Sequence, residues 1–369
     1  MNTAMSDPTA DREAAPEAVV DCDIHPTLRG GLDNIELHLA SRWHEHLRLY
    51  GPLMHQALAK TLMFPRMQPG LARLDAWPPE GGAPGSSLAF MRTQHLDPNG
   101  VRFGMLQPLG PGPMQRNLDF GAALCSAFNE WQIQEWAAED PRLKGALVII
   151  PDEPAAAVAE IRRAGGNHKF VQIAFPPRTA QPPGHRQYWP IYEAAQEYDL
   201  PIGMHVSGFN GHTLTGGGWP SFYLEDHFSN VQVMQSVVTS FVLEGVFERF
   251  PKLKLVLIEG GFGWVPALTW RLDKHWARMR GEVPQVKRPP SEYIKRNIWF
   301  TTQPIEEPER PGDLMHTIEW IGWDRLLFST DYPHWDFDDP KFAFKVKITK
   351  AQRAQLYRDN ALSVYTRLA

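Results

Sequence analysis

Val19-Val20-Asp21-Cys22-Asp23-Ile24-His25, Pro201-Ile202-Gly203-Met204-His205 and Leu326-Leu327-Phe328-Ser329-Thr330-Asp331 decide the fold of this chain. Each is a short, almost continuous apolar run, the pattern of a strand buried on both faces of a parallel sheet. Each ends in a residue that can bind a metal. Asp23 and His25 stand two apart, so a strand directs both side chains to one face. With His205 and Asp331 they make a mixed nitrogen and oxygen set suited to Zn²⁺, Mn²⁺ or Fe²⁺.

Working outward, further strands are expected at Val101–Leu106, Gly145–Ile150, Phe170–Ile173, Leu253–Ile258 and Ile298–Thr301, with the first at Val19–Cys22, the fifth at Leu200–His205 and the last at Arg325–Ser329. Helical periodicity lies between them at Phe120–Ala138, Glu153–Ala164, Trp189–Tyr198, Val231–Arg249, Gly263–Met279 and Pro311–Ile321. Eight strands alternating with helices predict an α/β protein, a (β/α)8 TIM barrel. A doubly wound open sheet is the competing arrangement, but no Gly-x-Gly-x-x-Gly turn follows an early strand. Insertions are expected after strands 1 and 5, over about 35–98 and 206–230. The first is too long for an ordinary connection and reads as a lid or a subunit contact. Its Met54, Met63, Phe64, Met67 and Trp77 are candidates for an apolar pocket wall. The Gly-rich stretch 208–218 reads as a flexible loop at the site.

The chain has 369 residues, 43% of them hydrophobic, and a net charge of −5 from 37 basic against 42 acidic side chains. That balance, without long runs of either sign, argues against a nucleic-acid partner. No stretch has the roughly twenty apolar residues of a membrane span, so no membrane partner is expected. Two cysteines, Cys22 and Cys125, form no spaced cluster, which fits a reducing cytoplasm. Residues 1–18 are polar, Ala-rich and acidic, and read as a disordered tail before one barrel domain over 19–369.

In a barrel, catalytic groups come from the C-terminal ends of several strands, where Asp23, His25, His205 and Asp331 all fall. Taken singly, each is as well explained by a turn or a hydrogen-bonded structural role. His334, three residues past Asp331, should face the pocket as a catalytic-site residue touching substrate, or else stabilise the loop through a backbone hydrogen bond. His227 is a further candidate for substrate contact, but reads more simply as a residue of a helix N-terminus beside Asp226 or Ser229. Arg271 and Asp273 read as structural ion-pair partners.

The motifs also carry a resemblance. Asp23-Ile24-His25, Asn129-Glu130-Trp131, Pro201 to His205, Phe250-Pro251-Lys252-Leu253-Lys254, Glu259-Gly260-Gly261-Phe262-Gly263-Trp264, Ser329 to Trp335 and Asn360-Ala361 resemble the amidohydrolase-related family. Within it the chain is similar to the branch of aminocarboxymuconate semialdehyde decarboxylase-like enzymes, from Val19 to the C-terminus. The resemblance implies one divalent metal ion, Zn²⁺ or Mn²⁺, at Asp23, His25, His205 and Asp331, with no organic cofactor. It also implies a small-molecule substrate and a homo-oligomer, dimer or tetramer. Many relatives have a His where this chain has Glu259, and decarboxylases often place a Glu at the position of Phe262. Glu259 is therefore expected either to move a proton itself or to orient His205 or a substrate-binding Arg. Asp331 is expected to act as general base or proton donor.

Because that His–Glu dyad is missing, the residues favour a metal-dependent hydrolase acting on a small carboxylated or aromatic compound. The alternative is a non-oxidative decarboxylase of a carboxylated aromatic or muconate-type acid. A catalytically inactive ligand-binding relative is the third reading.

Overall fold

The computed structural model describes residues 18–51, 71–206 and 215–368. Nearly all of the expected tail, the insertion residues Met54, Met63, Phe64 and Met67, and residues 208–214 of the Gly-rich loop lie outside them. Eight parallel strands pair in sequence order: β1 (Val19–Ile24), β2 (Val101–Leu106), β3 (Leu143–Val148), β4 (Phe170–Ala174), β5 (Ile202–His205), β6 (Leu255–Ile258), β7 (Ile298–Thr301) and β8 (Leu326–Leu327). The sheet returns on itself. Cys22 N donates to Phe328 O, Asp331 N to Asp23 O and His25 N to Tyr332 O, so backbone bonds join the first strand to the end of the last. This is the expected barrel.

The principal helices are α1 (Leu118–Trp131), α2 (Pro154–Ala164), α3 (Trp189–Glu197), α4 (Tyr223–Leu243), α5 (Val265–Met279), α6 (Pro290–Asn297) and α7 (Pro311–Ile321). Three of them begin on a proline, whose fixed φ and missing N–H suit the first helical position. The largest core cluster packs Leu147, Ile173, Met204, Leu257 and Phe300 from the sheet against Ile161, Tyr192, Phe241 and Ile318 from the helices.

Two of the principal helices depart clearly from the sequence reading. Helix α4 starts at Tyr223 rather than Val231, because its first turn is exposed and breaks the apolar period. That turn is fixed instead by Glu225 Oε2, which accepts from Ser221 N and Phe222 N. Helix α6 was not expected at all: only eight residues long and largely charged, it offers little apolar rhythm. Asp273 is no ion-pair partner of Arg271; its Oδ1 accepts from Ser291 N in the first turn of α6.

Strand β1 is irregular, with a register shift against β2 between Asp21 and Ile24. Asp21 is fully buried and turns to the barrel seam. Its Oδ1 accepts from Thr330 N (2.9 Å) and Asp23 N (3.2 Å), and its Oδ2 from Thr330 Oγ1 (2.6 Å). His95 Nε2 stands 2.8 Å from the same Oδ2, and Asn99 Nδ2 lies 3.1 Å from His95 Nδ1. This buried network ties β1 to the segment that carries Asp331.

Both cysteines are buried and unpaired. No described helix is long and apolar enough to cross a membrane.

Candidate metal centre

Asp23, His25, His205, Glu259 and Asp331 converge, each offering a ligand atom within 4.8 Å of the others. The strands explain the convergence: Asp23 is in β1 and His25 just beyond it, His205 ends β5, and Glu259 and Asp331 follow β6 and β8. Among the described residues, Glu259 and Asp331 are two of four non-glycine residues with positive φ, at 59° and 63°. Such a conformation is strained for an L-residue and persists only where the surroundings impose it. Around Glu259 they do so through hydrogen bonds: Glu259 N donates to Thr301 Oγ1, while Phe262 N and Gly263 N both donate to Glu306 Oε1.

The donor atoms are arranged for a cation. His25 Nδ1 faces Gln107 O at 2.9 Å, and His205 Nδ1 faces Val206 O at 2.9 Å. A carbonyl oxygen only accepts, so each Nδ1 carries a hydrogen and each Nε2 turns a lone pair into the cluster. The two Nε2 atoms stand 3.2 Å apart. Around them lie Asp331 Oδ1 (2.8 Å from His25 Nε2), Asp23 Oδ1 (3.2 Å from His25 Nε2) and Glu259 Oε2 (3.0 Å from His205 Nε2). Both carboxylate oxygens of Asp23 are buried without a hydrogen-bond partner. Lone pairs facing one another in a desolvated site repel unless a positive charge stands among them.

Titration behaviour carries the same mark. Burial pushes the Asp23 carboxyl up, but His25 and His205 outweigh it and hold the group well below the usual carboxylate range. Burial lowers His205, yet Asp23 and Glu259 raise it well above an ordinary imidazole. Asp331 is driven well above the carboxylate range by burial, against the pull of His334 and with repulsion from Glu259 and Asp23. The residues fit one divalent metal ion.

The structure therefore brings all four expected ligands together and adds Glu259 to them. Glu259 does not orient His205 through its far nitrogen, since Val206 O holds Nδ1; it faces the same Nε2 that the cluster uses. Phe262 is fully buried in the core, so no acid stands three residues beyond Glu259. His334 has Nδ1 2.7 Å from Asp331 Oδ1 and stacks on His25, ring centroids 4.2 Å apart.

The cluster opens on a cavity of about 260 Å³, small among ligand sites. Its walls include Leu109, Pro113, Met114, Val148, Phe175 and Tyr223. Leu71 of the first insertion reaches it, whereas Trp77 does not line it and is 45% exposed. Sequence reasoning missed Arg178, in the loop after β4, which lines this cavity and donates from Nη2 to Asn230 Oδ1 at 3.2 Å and Ser229 Oγ at 3.4 Å. It also favoured a structural role for His227 over substrate contact. His227 does stand in the first turn of α4, but its partner is Asp336 rather than Asp226 or Ser229, with Nε2 3.0 Å from Asp336 Oδ2, and both line the cavity. No sequence signal joins two residues 109 positions apart.

A family model described as Amidohydrolase matches residues 20–367. This chain belongs to the amidohydrolase family. It is similar to the gamma-resorcylate decarboxylase of Polaromonas sp., 28% identical over 256 residues that cover 64% of this chain and 74% of that protein. It is also similar to the 2-keto-4-carboxy-3-hexenedioate hydratase of Sphingobium sp., 24% identical over 248 residues, 62% of this chain and 67% of that one. A dihydroxybenzoic acid decarboxylase from Polaromonas sp., solved with bound manganese and an inhibitor, shares the amidohydrolase barrel. Its TM-score is 0.65 at 20% identity, covering 95% of this chain and 97% of that one.

Proposed function

We propose that this amidohydrolase is a metal-dependent carboxy-lyase that removes CO₂, without oxidation, from a small carboxylated aromatic acid. One observation carries the reading: a ligand set for a single divalent ion lies at an apolar cavity of one-ring size. Similarity to decarboxylases moves the balance away from hydrolysis, which the missing His–Glu dyad had favoured. Asp23, His25, His205 and Asp331 would hold the ion, and a carboxylate-rich set together with the manganese of the related decarboxylase supports Mn²⁺ over Zn²⁺. When bound, the ion supplies Lewis acidity toward the substrate's oxygen atoms.

The rest is done by side chains. Loss of CO₂ turns a charged carboxylate into a neutral molecule, so the apolar walls at Leu109, Val148 and Phe175 disfavour the starting state more than the product. Arg178 would hold an acidic substituent that is not lost, since a guanidinium on the departing carboxylate would stabilise the ground state. Asp331 delivers a proton to the carbon that CO₂ leaves, and His334, at 2.7 Å, returns one to it. A homo-oligomer belongs to the same reading, supported by the exposure of Phe222 (70%) and Phe228 (69%) near the cavity.

Mn²⁺-loaded protein incubated with 2,6-dihydroxybenzoate, 5-carboxyvanillate and related acids should release one CO₂ per substrate consumed. Asp331→Asn should abolish the release while the circular dichroism spectrum persists. The second reading, attack of water on the substrate with Asp331 as base, rests on Phe262 leaving Glu259 without its usual acidic partner. Absence of CO₂ together with ¹⁸O from labelled water in a product would replace the lyase reading with this one.

A further inference from the structure

Two of the clustered carboxylates reach the site from turns rather than from strands. Glu259 follows β6 and Asp331 follows β8, each in a left-handed conformation, with φ of 59° and 63°, that only its surroundings can hold. Strand β7 lies between β6 and β8 in the sheet, and residues 301–306, which close it and lead out of it, are bonded to both turns. On one side, Thr301 Oγ1 accepts from Glu259 N at 3.0 Å. Glu306 Oε1 accepts from Phe262 N at 2.9 Å and from Gly263 N at 2.7 Å. On the other side, Gln303 N donates to Ser329 Oγ at 3.1 Å, and Thr302 Oγ1 accepts from Ser329 N at 3.2 Å. Gln303 Nε2 then donates to Asp331 Oδ2 and to Asp336 O, both at 3.2 Å.

The end contacts are built for this purpose. A Cβ at Gly261 would stand 2.6 Å from Glu306 Oε1, and one at Gly263 would stand 3.1 Å from it, so the turn after Glu259 is shaped around this carboxylate. Glu306 Oε2 is buried and, among the described residues, has no hydrogen-bond partner. A half-satisfied carboxylate is a poor choice for stability alone; what it does is hold two amides of the Glu259 turn. Gln303 is fully buried. Its bond to Oδ2 leaves Asp331 Oδ1 as the oxygen that meets His25 Nε2 at 2.8 Å and His334 Nδ1 at 2.7 Å. Neither Gln303 nor Glu306 lines the cavity, so both act through other residues.

We propose that the segment leaving β7 is a clasp that positions the two carboxylates at the metal centre: Glu306 places Glu259, and Gln303 fixes which oxygen of Asp331 faces the cluster. Both are positioning residues. The inference rests on the metal centre and on the lyase reading, and its test separates the three.

Folded variants, checked by circular dichroism, are stripped with a chelator and titrated with Mn²⁺ while free ion is followed by electron paramagnetic resonance. Partners that orient metal ligands typically change affinity by about 10–100-fold. Glu306→Leu and Gln303→Leu should each bind Mn²⁺ about tenfold more weakly than wild type, with an altered line shape for the ion bound at saturation. Glu306→Gln keeps an oxygen on both amides and should stay within about threefold. A role in folding alone would lower the urea midpoint of the leucine variants and leave affinity and line shape unchanged; that result overturns the clasp. If a leucine variant does not fold, a milder change takes its place: Gly263→Ala, whose Cβ displaces the Glu306 carboxylate, or Gln303→Glu, which sets an acceptor against Asp331 Oδ2. Wild-type affinity in these also overturns the clasp. No Mn²⁺ bound by wild type would overturn the metal centre and the clasp with it. Weakened binding in the variants of a wild type that releases no CO₂ would support the clasp and overturn the lyase reading alone.

Discussion

Asp21 accepts four hydrogen bonds and gives none, which makes its replacement a quantitative test of how the site is held. Two donors, Thr330 N and Asp23 N, are backbone amides on Oδ1 and cannot turn away. The other two, Thr330 Oγ1 and His95 Nε2, are side-chain groups on Oδ2 and can. Asp21→Ala leaves both buried amides without an acceptor, at about 1–3 kcal/mol each, and leaves a small cavity. The expected loss is about 3–5 kcal/mol. Asp21→Asn keeps its oxygen on the two amides and puts its NH₂ toward Oδ2's partners. There the Thr330 hydroxyl rotates to accept, and His95 exchanges tautomer as the Asn99 amide turns over. Its cost falls to about 1–2 kcal/mol, for exchanging charged for neutral hydrogen bonds.

Urea unfolding of the metal-free forms at pH 7 measures the order, and competition with a chelator measures Mn²⁺ affinity. Affinity should fall more in the alanine variant, because Asp23 and Asp331 flank the freed amides. An alanine variant within 1 kcal/mol of wild type, or an asparagine variant as damaged as alanine, would refute the reasoning.

Metal itself should stabilise the fold. Mn²⁺ at a thousandfold excess over its dissociation constant adds about 4 kcal/mol, so the thermal midpoint should rise with Mn²⁺ in wild type and stay flat in His205→Ala. Gly85 has φ of +76°, and a Cβ there would meet the carbonyl oxygen of His25; Gly85→Ala should cost about 2–3 kcal/mol in urea unfolding and lower the bound metal per chain. Burial, with Asp336 and Glu307 nearby, pushes the Asp338 carboxyl up to about 7. An unfolded aspartate titrates near 4, so between about pH 4 and 7 the native state holds a proton that the unfolded chain has lost. Stability then falls as pH rises through that window and levels off above it. Asp338→Asn should flatten this slope and be more stable than wild type at pH 8 by about 1–2 kcal/mol, the group being only part-buried.

The barrel and the convergence of four of the five clustered residues were legible because topology places strand ends, and strand ends are visible as apolar runs closing on polar residues. Asp23, His25, His205 and Asp331 needed nothing more. Asp21 was not legible as a seam residue, since strict alternation would send it where Asp23 goes and only the register shift in β1 diverts it. Arg178, His227 and Asp336 come from loops and a helix start, whose positions depend on packing rather than period. Glu259 was visible as a departure in residue type, but its approach to His205 Nε2 follows from a local backbone twist that no pattern encodes.

The seam between β1 and the end of β8 has a consequence for how this protein comes into being. Asp21 and Thr330 are bonded across 309 positions of chain, and Asp23 and Asp331 flank that bond. A ribosome releases Asp23 and His25 some three hundred residues before Asp331. Until the last strand docks, Asp23 and His25 have no Asp331 to complete them, so the nascent chain has nowhere to hold the ion tightly. Metal uptake thus reports the final event of assembly, and a chain cut short before Asp331 would leave synthesis unable to load its cofactor.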